Sequence, residues 1–456
     1  MRRLLSFLLL LTLLPLMGAG CGQSQAEKEA ALPVTLQVWS VFEDQDAFEE
    51  LMNAYRTVHS NVSFNMKLLR YDEYEDELLQ AFARGEGPDI FSIHNTWLGE
   101  YKDLITPLPA SLSIPYTETT GTIKKETVTT LREEKAITQQ ELKNNYVDVV
   151  SDDLIQSYQP DPNKDAEDKI FAIPLYVDTL VLYSNTDILN SANIAEPPAT
   201  WQLFQDQVKL ITKVNTNGDI TQSAAAFGAG ENVERSMDIL SVLMMQNGTV
   251  MEKNGKAVFS EQTEDRRTPS SEALSFYSAF ANPVKDVYTW NSDMTDSFDA
   301  FVNGETAFFF GYAYHLPLIK QQASKLEYRI SALPQIENGK NVNFANYWAW
   351  TVSKASNNSK WAWDFIQYAA KKENVSTYLE NTVRPTALRG LIAEQSEDDD
   401  LGIFANQLLT AESWYHGNNA NVVEEAFISL IDSSITSGLE LGDLIREAEN
   451  KVNQTY

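Results

Sequence analysis

Apolar residues alternate in "VTLQVWS", where Val34, Leu36 and Val38 fall on one face, and this predicts a strand. The next apolar positions, Phe48, Leu51, Met52 and Tyr55, recur at helical spacing behind Glu43, Asp44 and Asp46. Acidic residues suit the positive end of a helix, so a helix is predicted over "AFEELMNAYRTVH". A second strand, "NVSFNMKLL", precedes a helix in "YEDELLQAFARGEG" that Gly85 and Gly87 close. A third strand follows in "PDIFSIHN". Strands that alternate with helices predict a mostly parallel sheet covered on both faces.

From about Thr117 to Asn145 the chain becomes polar, Thr-rich and weakly patterned, which reads as a surface insertion. The strand pattern resumes in "KIFAIPLYVDTLVLYSN". Helices are predicted in "PPATWQLFQDQVKLITK", with Thr200 as cap, in "ERSMDILSVLMMQNG", and in "SKWAWDFIQYAAK". Two more close the chain, the first with Val423, Phe427, Leu430 and Ile431 along one face and the second with Leu441, Leu444, Ile445 and Ala448 along one face. "NTNGDIT" fails as a calcium loop because its first and twelfth ligand positions are Lys213 and Ala224. A turn at Asn217-Gly218 fits it better. No fixed-period repeat is present, and the length predicts two or three folding units.

Composition changes this picture at the N-terminus. Arg2 and Arg3 precede an apolar run and then small residues up to Cys21, the order of a secretory signal peptide. The run is shorter than the ~20 residues of a membrane-spanning helix. Cys21 is the only cysteine, so a structural disulfide within the chain is excluded. A cysteine directly after the cut resembles the lipobox of bacterial lipoproteins, with Gly18 where Leu is usual. That resemblance implies a signal peptide over 1–20, diacylglycerol on Cys21 and a flexible tether over 21–32. With 64 acidic and 35 basic residues the formal charge is −29, a field that opposes nucleic acid and anionic lipid and is compatible with a neutral or cationic ligand.

Candidate chemistry is sparse. Phosphate-loop, nucleophile-elbow and zinc-protease motifs are missing, and His59, His94, His315 and His416 have no ligand spacing, so neither a cofactor nor a metal is expected. With 64 acids, a catalytic carboxylate pair as in a glycoside hydrolase stays open as an alternative. Aromatic and polar residues gather just past predicted strand ends, where open α/β sheets bind ligands. They are Trp39, Asn95, Trp97, Tyr312 and Tyr314, the pair Trp348 and Trp350, and Trp414 with Tyr415. Flat rings suit the C–H faces of sugars, and amides and carboxylates suit hydroxyls. Any single ring can equally be filling a core; Trp361 and Trp363, inside a helix pattern, read as packing.

The order of "VTLQVWS", "GEGPDIFSIHNTWLGEY", "DKIFAIPLYVDTLVLYSNTDIL", "PPATWQLF", "FVNGETAFFFG" and "YWAWTVSKASNNSKWAWDFIQYAA" resembles the extracellular solute-binding proteins of family 1, the maltose-binding-protein-like sugar receptors. The resemblance implies an α/β, two-lobed periplasmic-binding-protein-like fold of type II, with mostly parallel sheets and a ligand cleft between the lobes. Crossings are expected near "LYVDTLVLY", "FFFGYAY" and "NFANYW". Lobe one would hold 33–177 and 312–345, with 117–145 inserted, and lobe two 184–308 and 348–456. Site residues implied by position are Glu43, Asp44, Asn95, Thr96, Asp178, Tyr312 or Tyr314, and Trp414. Asn95 and Thr96 replace a charged pair of the maltose binders, and Asn346-Tyr347 replaces a Gly-Gly. The resemblance further implies a monomer on the extracytoplasmic face of the cell membrane, held there by lipid alone. It would capture a carbohydrate by hinge closure and pass it to an ABC permease. A polyamine, peptide or other cation in the same fold is the other ligand class the acidic charge allows, and delivery to a sensor rather than a permease is equally compatible with the sequence.

Overall fold

The computed structural model describes residues 24–43, 45–121 and 125–456. The expected signal peptide, Cys21 and Asp44 lie outside them.

Two sheets organise the chain. In the first, strands run in the order Trp348–Val352, Ile90–His94, Val34–Ser40, Val62–Leu68. Val34–Ser40 pairs in parallel with both of its neighbours, and Trp348–Val352 pairs antiparallel with Ile90–His94. The second sheet has the order Lys213–Val214, Ile220–Ala225, Thr306–Gly311, Val181–Asn185, Tyr328–Ser331. Here only Ile220–Ala225 with Thr306–Gly311 is parallel, so "mostly parallel" holds for the first lobe and not for the second. Trp348–Val352 and Val181–Asn185 carry the chain into their lobes from the hinge. A strand that enters from the hinge runs against strands that finish there.

The hinge is a small third sheet. Asp178–Thr179 pairs antiparallel with Asn343–Asn346, which pairs in parallel with Ala411–Glu412. The crossings are therefore at these three segments, and "FFFGYAY" is not one. After Thr306–Gly311 the chain stays in lobe two, forming the helix His315–Gln322 and then the strand Tyr328–Ser331 beside Val181–Asn185. This corrects the expected lobes. Segment 312–345 belongs mainly with lobe two. The stretch from Trp348 through the helices Ser359–Ala369 and Lys372–Glu380 belongs with lobe one, where Trp361, Trp363, Phe365 and Tyr378 share a core with Leu36, Tyr55 and Phe91. Helices Ala420–Thr436 and Leu441–Val452 return to the lobe-two core around Phe204, Phe227 and Phe310.

Two further segments depart from expectation. Within the expected flexible tether, Gln25–Ala31 is a helix, because Ser24 and Glu27 form a reciprocal capping box and "QAEKEAA" is rich in helix formers. Glu29 pairs with Lys360, which fixes this helix to lobe one. The weakly patterned insertion contains a hairpin of Ser111–Thr120 with Glu126–Lys135, then the helix Gln139–Asn145 capped by Thr138. Its threonines face one another across the strands, Thr117 to Thr129 at 3.0 Å and Thr119 to Thr127 at 3.2 Å, a β-stabilising pairing that a search for apolar period misses.

The lobes also touch just past the third crossing. A Cβ at Gly99, in lobe one, would lie 2.2 Å from the carbonyl oxygen of Gly417, in the loop after the third crossing. Backbone on both sides leaves no side chain to move aside. Gly99→Ala is expected to wedge the lobes apart, giving a larger radius of gyration by small-angle scattering; an unchanged radius would show that the contact yields locally.

Candidate functional site

Between the lobes, at the ends of the first-sheet strands and against the hinge, lies a cleft of about 490 Å³. Lobe one offers an aromatic wall. Trp97, in the turn after Ile90–His94, meets Trp348 edge-on at 5.1 Å and stacks on Tyr101 at 5.7 Å. Tyr71, at the start of the helix Tyr71–Arg84, stacks on Phe42 at 5.6 Å. Both rings are open to the cleft, at 47% and 57% exposure. Phe42 has φ 56°, a left-handed backbone that a bulky residue adopts at a cost of about 1 kcal/mol or more. Its carbonyl accepts a hydrogen bond from Arg384, whose guanidinium lies 4.1 Å from the Tyr176 ring centre. An exposed ring held in a strained backbone is better explained by a binding role than by packing.

The polar floor begins with Asn95, which is buried and lines the cleft. Its Nδ2 donates to Asp153 at 3.0 Å, and its Oδ1 has no partner among the described residues. His94 is half-buried, and its imidazole is pushed down to about 3, chiefly by loss of water. It is thus neutral, and bonds Thr96 at 2.7 Å and the Asn346 side chain at 3.3 Å. Asp178, at the hinge, accepts backbone N–H bonds from Thr179 (2.8 Å) and Ala313 (3.1 Å). Burial nevertheless pushes its carboxyl up to about 7, outweighing those bonds and the charge of Arg384. Such a raised pKa favours folding at low pH, and that contribution is lost as pH rises through about 7. Asp178→Asn is therefore expected to raise the melting temperature more at pH 8 than at pH 5; an equal shift at both would refute a buried, titrating Asp178.

Lobe two supplies charge. Arg235, at φ 61° just before the helix Ser236–Gln246, holds Asp238 through Nε (2.7 Å) and a terminal nitrogen (2.6 Å). Tyr314 donates to Glu234 at 3.1 Å and stacks on Tyr312 at 5.9 Å. Burial opposes ionisation of Glu234, but His315, Tyr314 and Arg235 together hold its carboxyl below the usual range. Trp414 lies against this wall with its N–H on Ser241 at 3.1 Å. Six carboxylates line the cleft, Asp178, Glu231, Glu234, Asp238, Asp296 and Glu424, against the guanidiniums of Arg235 and Arg384.

Of the residues singled out in the sequence, Asn95, Thr96, Trp97, Asp178, Tyr314, Trp348, Trp414 and Tyr415 come together here. Trp39, Glu43 and Tyr312 are not among the lining residues. Trp39 carries Lys67 over its ring at 4.2 Å, Glu43 accepts from the Tyr378 hydroxyl, and Tyr312 is buried with its hydroxyl on Asp238 at 2.7 Å. Trp350 stacks on Phe48 at 4.5 Å in the lobe-one core. Sequence reasoning missed Phe42, Tyr71, Glu234, Arg235 and Arg384. "ERS" before an apolar helix was the only hint of the charged pair, and nothing local marks Arg384.

Residues 50–401 match the model of the bacterial extracellular solute-binding protein family. The chain belongs to that family. As an extracellular solute-binding protein it works outside the cytoplasm, and no helix among its described residues is long and apolar enough to cross a membrane. The galactooligosaccharide-binding protein of Bacillus subtilis (strain 168) is 20% identical over 389 residues, 82% of this chain and 78% of that one. Among solved structures, the cyclic alpha-maltosyl-1,6-maltose binding protein from Arthrobacter globiformis superposes with a TM-score of 0.70 at 16% identity, covering 93% of this chain and 99% of that one. An ABC transporter solute-binding protein from Thermotoga lettingae TMO, bound with alpha-D-tagatose, gives 0.64 at 18% identity, covering 92% and 99%. At these identities the structural likeness shows the shared two-lobed fold. A larger cavity of this solute-binding protein, about 790 Å³ beneath the hairpin, is lined by lobe one alone, so filling it would not draw the lobes together.

Proposed function

We propose that this solute-binding protein captures a carbohydrate between its lobes, without chemical change, and delivers it to an ABC permease while a lipid on Cys21 holds it at the membrane. The observation that carries the reading is the aromatic wall of Phe42, Tyr71, Trp97 and Trp348 facing hydrogen-bonding side chains across a hinged cleft. Rings bind the apolar faces of a sugar, and the acceptors opposite bind its hydroxyls. The relatives named for galactooligosaccharide and cyclic maltosyl-maltose, and the one holding tagatose, support the same ligand class.

A second reading has one specific support. Six carboxylates against two guanidiniums leave the cleft acidic, which suits a polyamine or another cation. Thermal unfolding of the protein with maltotetraose, galactotriose, tagatose, spermidine and amino acids separates the two, because a ligand bound to the folded state raises its melting temperature. Sugar shifts that survive high salt support the carbohydrate. Shifts with spermidine alone, abolished by salt, would replace it, and release of reducing ends from an oligosaccharide would replace capture with hydrolysis. For the anchor, Cys21→Ala should move the protein from the membrane to the soluble fraction.

A further inference from the structure

Asp153 is 1% exposed, and its carboxylate accepts four hydrogen bonds. From lobe one it accepts the Asn95 amide at 3.0 Å and the Tyr347 hydroxyl at 2.7 Å. From the loop after the third crossing it accepts His416 Nε2 at 3.1 Å and the Ser413 hydroxyl. His416 continues through Nδ1 to Glu252 of lobe two at 2.9 Å, and Glu252 also accepts the Tyr456 hydroxyl at 2.7 Å. A buried carboxylate that accepts from both lobes thus touches the one cleft residue that, among the described residues, has an unpartnered buried oxygen.

The chemistry of that contact is one-directional. An amide can turn either its NH2 or its oxygen to a neighbour, and the two are interchangeable in shape. An ionised carboxylate only accepts. Asp153 therefore binds the NH2 of Asn95 and leaves the Oδ1 of this cleft-lining residue buried, with no partner among the described residues. A buried acceptor without a donor costs free energy, and a bound molecule that brings a donor recovers it.

We propose that Asp153 is a positioning residue that sets the polarity of the Asn95 amide, so that the cleft floor selects a ligand group that donates a hydrogen bond, a sugar hydroxyl, and disfavours an acceptor such as a carboxylate or phosphate at that point. This rests on the carbohydrate reading for the ligand class. Asp153 touches no ligand in this account; it acts through Asn95, and the bonds to Ser413 and His416 tie that orientation to the loop the other lobe holds.

The test swaps the pair. Asp153→Asn lets the Asn95 amide turn either way, and affinity for maltotetraose or galactotriose, whichever binds the wild type, should fall by about tenfold or more. Asn95→Asp combined with Asp153→Asn reverses the pair while still turning a carboxylate oxygen to the cleft, and should recover most of the loss. A purely structural role for Asp153 predicts no such recovery. Wild-type affinity in Asp153→Asn, or a double variant no better than the single, overturns the proposal. If neither sugar binds the wild type, the carbohydrate reading fails, and melting of the sugar-free protein still decides the pairing. Asn95→Asp alone opposes two carboxylates and should melt lower. Recovery on adding Asp153→Asn supports the assigned polarity, and no recovery overturns it.

Discussion

Tyr71→Ala is expected to weaken sugar binding by roughly thirtyfold, about 2 kcal/mol, while leaving the melting temperature nearly unchanged. The separation of the two effects follows from where the ring sits. Tyr71 is 47% exposed and stacks on Phe42, itself 57% exposed, so the fold gains little from either ring. Behind them Trp97 and Trp348 are almost fully buried, and truncating those would damage the lobe-one core as well as the cleft. Calorimetric titration beside a melting curve checks the prediction. Unchanged affinity in Tyr71→Ala would remove the outer ring pair from the site, and a large drop in melting temperature would make Tyr71 a packing residue.

The largest effect on stability is expected from His416→Gln. The imidazole lies between Asp153 and Glu252, side chains 1% and 18% exposed, and is itself 27% exposed. Burial opposes its charge, but the hydrogen bonds and charges of the two carboxylates prevail and push its pKa up to about 10. Removing one partner from a buried ion pair strands the other charge, at a cost of about 3 kcal/mol. The direction with pH is also determined. A histidine raised above its unfolded value of about 6.5 stabilises fully below that pH and loses the contribution as pH rises through about 10. Wild type should therefore exceed His416→Gln most at pH 6, and the gap should shrink toward pH 10. A gap that is constant or widens with pH would mean that the imidazole is neutral.

Much of this molecule follows from local pattern, and its failures have physical causes. The first strand, its helix and Thr200 as cap of Trp201–Ile211 rest on period and capping alone, and each is present. The third crossing, Ala411–Glu412, is two residues long, and no periodicity can mark so short a strand. Missing it displaced the lobe assignment by one crossing. In "GYAY", alternation offered Tyr312 and Tyr314 equally, and only the packing sends Tyr312 inward to Asp238 and Tyr314 to the cleft. Trp39 reads as a ligand residue past a strand end, yet it lies within Val34–Ser40, and Lys67 on the neighbouring strand covers its ring. Arg384 and Phe42 are 342 positions apart in the chain and meet only through the fold.

A crystal structure of the protein with the sugar that most raises its melting temperature tests the central claim most directly. The sugar is expected in the interlobe cleft, with one ring face on Tyr71 and a hydroxyl within hydrogen-bonding distance of Asn95 Oδ1. A sugar seated instead in the lobe-one cavity beneath the hairpin, with the cleft unoccupied, would contradict it.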